Sequence, residues 1–288
     1  MSANVLFDAP GPRTRARHRL YSALGLLLLA ALAAAVILRF ADRGQFEYRL
    51  WEPLVTPEFD RALLVDGLLK TLQMAALSIL FAVVFGLLFG VGKLSEHRLL
   101  RWPSWLVVEF FRAVPVLLMM YFLYFAYGVG EGGIGAYWCV VIALTVYNGA
   151  VLAEVFRAGI AAVPRGQAEA AYALGMRKSQ VMNIVLLPQA VKIMLPSIIS
   201  QCVVALKDTS LGFAIGAPGL TYVGKQIYNE YQDQVQVALV VTAIYVAVNL
   251  LLTWLATWVQ RKYVGERKPL EPSLFGITDA DTGAATTR

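Results

Sequence analysis

The same four-residue pattern, Glu-x-Phe-Arg, puts charge into two otherwise apolar stretches, as Glu109–Arg112 and as Glu154–Arg157. A three-residue step places both groups of a pair on one helix face. Two readings are open. Each pair is a local ion pair whose arginine reaches toward lipid phosphates, or its charges line the mouth of a translocation path or fix helix ends against a partner. A third charged element, Lys207-Asp208-Thr209-Ser210, interrupts the apolar run that begins at Ile193. Each charge held inside a bilayer costs roughly 2.5–3.5 kcal/mol on insertion scales. A helix break or a helix end facing a water-filled cavity accounts for it, as a path or gate element or as a structural ion pair at a bend.

Catalytic chemistry is poorly supplied. The only histidines, His18 and His97, sit in basic flanking segments, and Cys139 and Cys202 lie inside apolar runs. No nucleophile–base set, metal-binding cluster or carboxylate pair is apparent, so no catalytic residue and no metal are expected. Gly219–Lys225 matches G-x-x-x-x-G-K, but Gln226 stands where a phosphate loop needs Ser or Thr, and an apolar helical run precedes it. Gly86 and Gly90 form a G-x-x-x-G pair, read as close helix packing.

The elements that position these groups are membrane helices. Of the 288 residues 58% are hydrophobic and 15% charged, well under the quarter usual for a soluble domain. Six runs approach the roughly 20 apolar residues a span requires. They are Leu20–Leu38, Thr71–Gly92, Ala113–Gly130, Ile134–Ala153, Ile193–Leu206 with a continuation to Gly224, and Val235–Gln260. The first is longer than a signal-peptide core and reads as an uncleaved anchor. The net charge of +6 is a membrane-topology signal and implies no nucleic-acid partner. Arg98, Arg101, Arg165, Arg177, Lys178, Arg261 and Lys262 fall between or after spans on one side, while the segment after the first helix is rich in acids. The expectation is an all-α, multi-pass plasma-membrane protein of about six spans with both termini cytoplasmic.

That topology puts the polar stretch Gly166–Gln189 in the cytoplasm. Its Gln167–Leu174 part is built of helix formers, and Gly175 stops it as a C-terminal cap would. Ala170, Ala171 and Ala173 let another surface approach closely, Glu169 offers an acceptor, and Pro188 is expected to start the next span. A lipid-bound amphipathic helix would need a basic face, which this one lacks.

Glu169-Ala170-Ala171, three residues, Gly175, nine residues, then Val185-Leu186-Leu187-Pro188 resembles the E-A-A-x(3)-G-x(9)-I-x-L-P loop of permease subunits of bacterial ABC importers. Val185 for Ile is the one departure. "GLLKTLQMA", "FFRAVPVLL", "AEVFRAGIAAVPRGQAEAA", "LPQAVKIMLPS" and "LKDTSL" resemble the polar amino-acid branch, over about Gly67–Gln260. Within it the chain looks most like actinobacterial glutamate permeases.

The resemblance implies a basic segment 1–19, an additional helix 20–39, an extracytoplasmic loop 40–66, a permease domain 67–262 with its coupling loop at 164–188, and a disordered cytoplasmic tail 263–288. It implies ATPase coupling through Gly166, Gln167, Glu169, Ala170, Ala171, Gly175, Arg177 and Pro188. Glu109, Arg112, Glu154, Arg157, Lys207, Asp208, Thr209 and Ser210 are then candidates for the path or gate. The expected partners are an ATP-binding subunit, which would hold ATP and Mg, a second permease subunit, an external substrate-binding protein, and membrane lipid; this chain holds no cofactor. Glutamate is the expected cargo, with glutamine or a basic amino acid as alternatives. An ion-coupled secondary transporter, or a channel or scaffold indifferent to Glu169 and Gly175, are the competing classes.

Overall fold

A computed structural model describes residues 12–264; the start of the basic segment and nearly all of the expected tail lie outside them. All regular structure among the described residues is helical. Five helices are long and apolar enough to cross a membrane, or six if one sharply bent pair counts as a span.

The chain divides into two compact units, Met1–Leu72 with Gly212–Ile244, and Gln73–Leu211 with Tyr245–Arg288. In the first unit, α1 (Pro12–Asp42) is apolar along its middle, and none of its apolar window is buried by protein. A helix bonds its backbone internally, so a bilayer alone suffices to hold it. Gly44, at φ +66°, turns the chain into three short helical turns, Tyr48–Trp51, Glu52–Val55 and Pro57–Arg61. Helix α2 (Ala62–Leu94) opens with wide π-type turns over Ala62–Leu69. Against these turns packs α8 (Leu220–Tyr231). Gly67 permits the approach, since a Cβ there would sit 3.1 Å from Leu220 Cα. The Leu220 amide donates to buried Thr71 Oγ1 at 2.9 Å.

In the second unit the central element is α5 (Gly135–Ala161), whose apolar window is 61% buried against 11–33% for α2, α7 (Lys178–Ile215) and α9 (Gln234–Val264). Two glycine contacts bring α2 and α5 together. A Cβ on Gly86 would meet Leu152 Cβ at 2.8 Å, and one on Gly149 would meet Phe85 Cδ1 at 2.7 Å. With Gly90 facing the Ala153 backbone, the G-x-x-x-G pair is a packing device. Phe85, Phe89 and Phe111 close around fully buried Val108, Ala150 and Ala153. That cluster seats α3 (Arg98–Ala113) on α5.

Several expected boundaries move. The third span is not the continuous run Ala113–Gly130. Helix α3 ends at Ala113, Val114 is extended, and α4 (Val116–Gly128) leaves at 99°. Pro115 explains the break, because it lacks an amide donor and pushes the residue before it out of the helical region. At 1.5 Å per residue the 13 residues of α4 reach about 20 Å, short of a ~30 Å hydrocarbon core. The helix that carries the second span starts at Ala62, within the expected loop 40–66, with Asp66 and Lys70 exposed on its surface. The fourth runs on to Ala161, past both Glu154 and Arg157.

The fifth does not begin at Pro188, and its α-helical part ends at Asp208. Helix α7 runs from Lys178 to Ile215 through Pro188 and Pro196. A π-wound turn over Val181–Leu186 absorbs the donor that Pro188 lacks. The helix tightens to 3-10 turns over Thr209–Ile215 and ends at Gly216, φ +71°.

Candidate functional site

Lys93, in the last turn of α2, was not among the residues singled out in the sequence, yet it organises the charged centre of the second unit. Its Nζ lies 3.0 Å from Glu109 Oε1 on α3 and 2.8 Å from Glu154 Oε2 on α5. The two Glu-x-Phe-Arg pairs form as their spacing implies. Arg112 Nη1 donates to Glu109 Oε2 at 3.3 Å, and Arg157 Nε donates to Glu154 Oε1 at 2.9 Å. Local pairing is therefore half of the arrangement. The seating of α3 on α5 brings the two carboxylates close enough to share one ammonium, whose side chain is only 6% exposed. Beside this network lies a cavity of about 500 Å³, lined by Lys93, Arg101, Trp102, Trp105, Glu109, Glu154 and Arg157.

Lys207 and Asp208 stand apart from this cluster. Lys207 is exposed, Asp208 half-buried, and neither forms an ion pair among the described residues. Thr209 is buried, its Oγ1 donating to Leu206 O at 2.6 Å, and Ser210 is half-buried. Deeper in the unit a polar contact without a sequence signal links α5 and α7: Gln201 Nε2 donates to Asn148 Oδ1 at 2.6 Å, and Asn148 Nδ2 donates to Leu144 O at 2.9 Å. Unsatisfied amides are costly in an apolar interior, so this pair fixes how α5 faces α7.

The polar stretch folds as a compact hairpin at one end of the unit. Helix α6 (Arg165–Ala173) follows Pro164 and ends at Gly175, φ +77°. Two bonds close it, Gly175 N to Tyr172 O at 2.9 Å and Met176 N to Ala171 O at 3.2 Å, the pattern that a left-handed cap residue makes possible. Gln189 Nε2 reaches back to Gln167 Oε1 at 3.2 Å and to Val185 O at 2.9 Å, tying α6 to the early turns of α7. Arg177 is exposed, its backbone amide donating to Gln180 Oε1 at 2.8 Å. Pro188 is exposed within α7.

Gly166, Gln167, Glu169, Ala170, Ala173 and Leu174 are exposed on α6 and its cap. Ala171 departs from expectation. It is 4% exposed and faces inward, because a helical step from Ala168 puts both on the face that packs on the unit. Lys178 pairs with Glu96 in the turn between α2 and α3, and its ammonium holds the Glu96 carboxyl below the usual range. The hairpin is thereby linked to the segment that leads from Lys93 into α3.

Among the described residues no group of three or more His, Cys, Asp or Glu side chains converges as a metal site. Gly219–Lys225 forms the start of α8, and its Leu220 amide is committed to Thr71, which is no phosphate cradle.

Residues 82–265 match a family described as binding-protein-dependent transport system inner membrane component. The chain is 41% identical to the glutamate transport system permease protein GluD of Corynebacterium glutamicum, over 77% of this chain and 82% of that protein. It is 34% identical to a probable glutamine ABC transporter permease protein, GlnP, of Bacillus subtilis, over 67% and 89%. A solved amino acid ABC transporter with histidines is similar at 30% identity and a TM-score of 0.65, over 69% of this chain and 94% of that one. The MetNI methionine ABC transporter in an inward-facing conformation shares the fold at 24% identity, with a TM-score of 0.59 over 69% and 95%.

Proposed function

Because the chain belongs to the binding-protein-dependent transport system inner membrane component family, we propose that it forms the translocation path of an ATP-driven importer of a polar amino acid, glutamate first. It is a transport subunit without an ATPase site of its own; a separate ATP-binding subunit and a substrate-binding protein complete such a system. Glutamate is favoured by the 41% identity to a glutamate permease. Glutamine remains the competing cargo, given the 34% identity to a probable glutamine permease.

The observation that carries the reading is the exposed α6 hairpin. Glu169, Ala170, Ala173 and Leu174 point outward from a helix clamped to α7 by the Gln167–Gln189 bond. A subunit that grips that face and moves with ATP binding displaces α7 as a lever. The Lys178–Glu96 pair passes the motion to the α2–α3 turn, and Lys93 makes α2, α3 and α5 move together. On this reading α6 and both termini are cytoplasmic, six crossings follow if α3 and α4 count as one, and a second permease subunit completes the path. ATP and Mg stay on the partner. Lys207, Asp208, Thr209 and Ser210, at the end of α7 remote from the hairpin, are assigned to the path or its outer gate.

The test is uptake of labelled glutamate into proteoliposomes holding this chain with its ATPase subunit and binding protein. Uptake should need ATP, be displaced by unlabelled glutamate more than by glutamine or arginine, and vanish on Gly175→Trp while insertion is normal. Uptake by this chain alone, driven by an ion gradient, would overturn the proposal.

A further inference from the structure

The cavity beside Lys93 has features that the lever role leaves unused. Three cations and two carboxylates line it. Both carboxylates are committed, since Glu109 accepts from Lys93 and Arg112, and Glu154 from Lys93 and Arg157. Nothing acidic is left over to attract a cation. Arg157 engages Glu154 through Nε and Nη2, which leaves its Nη1 uncommitted. Arg101 is exposed and forms no ion pair among the described residues. A guanidinium fork matches phosphate geometry closely.

The rim is amphipathic as well as basic. Arg101, Trp105 and Glu109 recur at four-residue steps, so one face of α3 lines the cavity. Trp102 and Trp105 stand edge to face with centroids 5.8 Å apart, and they are 64% and 47% exposed. Leu99, Leu106 and Phe110 are exposed on the same helix. The first turns of such a helix sit at the boundary between headgroups and acyl chains, the level tryptophan favours. Basic pockets between membrane helices at that depth suit acidic headgroups.

We propose that this cavity binds the phosphate headgroup of an anionic phospholipid, with Arg101 and Arg157 as donors and the two tryptophans against the glycerol and upper acyl region. Glu96, three residues after Lys93, pairs with Lys178 of the hairpin, so a lipid seated here lies at the end of the unit that carries α6. Its assignment to the inner leaflet rests on the orientation proposed above; the ligand assignment does not.

The experiment is native mass spectrometry of the delipidated full chain in detergent, offered phosphatidylglycerol and phosphatidylcholine of identical acyl chains. Wild type should retain phosphatidylglycerol preferentially. Arg101→Gln should cut that preference about fivefold, the effect of one cation at the surface, while Arg261→Gln leaves it unchanged. Equal retention of the two lipids by wild type, or no effect of Arg101→Gln, overturns the proposal. Displacement of the lipid by millimolar inorganic phosphate overturns it in favour of a soluble anion. Should Arg101→Gln not remain monodisperse, brominated lipids decide on folded protein. The fluorescence difference between wild type and Trp102→Phe should be quenched more by brominated phosphatidylglycerol than by the choline lipid, and equal quenching overturns the site. Detergent and nanodiscs expose both faces, so none of these outcomes depends on orientation. Orientation is read separately, by labelling Ala170→Cys with an impermeant maleimide in inverted vesicles.

Discussion

Lys93 Nζ lies 2.8 Å from Glu154 Oε2, across 61 residues of sequence, while its other bond, to Glu109, spans 16. One nearly buried ammonium thus bridges two carboxylates that helix packing brings together, each of which also has its own arginine. Without it, each carboxylate keeps only its own arginine and nothing bridges the two across the α3–α5 contact.

Lys93→Met should therefore destabilise the protein by about 2–3 kcal/mol. That is below the 3–5 kcal/mol of a fully buried pair, since Glu109 is 38% and Glu154 25% exposed. Thermal unfolding in detergent micelles measures it. The double variant Lys93→Met/Glu154→Gln should recover little of the loss, since removing that carboxylate leaves Arg157 unpaired.

Gly149 supports the same contact from the backbone side. A Cβ there would lie 2.7 Å from Phe85 Cδ1 and 2.9 Å from Phe85 Cβ, within a packed helix pair. Gly149→Ala is expected to cost about 1–3 kcal/mol through overpacking. Gly25→Ala, where nothing lies within 4 Å of the new Cβ, should leave the melting temperature in place.

Gly166 lies in the first turn of α6 and Gly175 just past its end, and a Cβ at either meets nothing within 4 Å; only Gly175 has a positive φ, +77°. Gly175→Ala should therefore lose about 1–2 kcal/mol through backbone strain, and Gly166→Ala almost nothing. Amide hydrogen exchange over residues 165–176 separates them, with faster exchange expected for the first variant alone.

Asp233 is 1% exposed, and neither carboxylate oxygen has a hydrogen-bond partner among the described residues. Burial pushes its carboxyl above the ordinary value. The folded state then holds this proton more tightly than the unfolded chain. Its contribution is fully present below the unfolded carboxyl value and is lost as pH rises through the folded one. Asp233→Asn should raise the melting temperature at neutral pH and flatten its fall between mildly acidic and neutral pH. An unchanged or lower melting temperature at neutral pH would contradict this.

Much of the molecule was legible in the sequence because membranes reward local rules. Apolar runs marked the spans, Gly86 and Gly90 marked a close helix contact, and the three-residue spacing of Glu109–Arg112 and Glu154–Arg157 dictated their pairing, since such groups share a helix face wherever the helix goes. Gly175 likewise announced the end of α6, because few residues adopt its backbone conformation without strain.

What only the tertiary structure decided depends on contacts between distant segments. Lys93 looked like the flank of a span; that it bridges Glu109 and Glu154 follows from α3 packing on α5. Ala171 looked available to a partner, and the packing of α6 turned it inward. Pro115 and Pro188 are equally visible as prolines. One marks a 99° bend and the other is carried inside a continuous helix, because the turns before Pro188 widen to π geometry while Val114 is left extended. Local chemistry proposes a pair, a cap or a break; which groups meet, and on which side a residue ends, is settled by the helix faces that must be buried together.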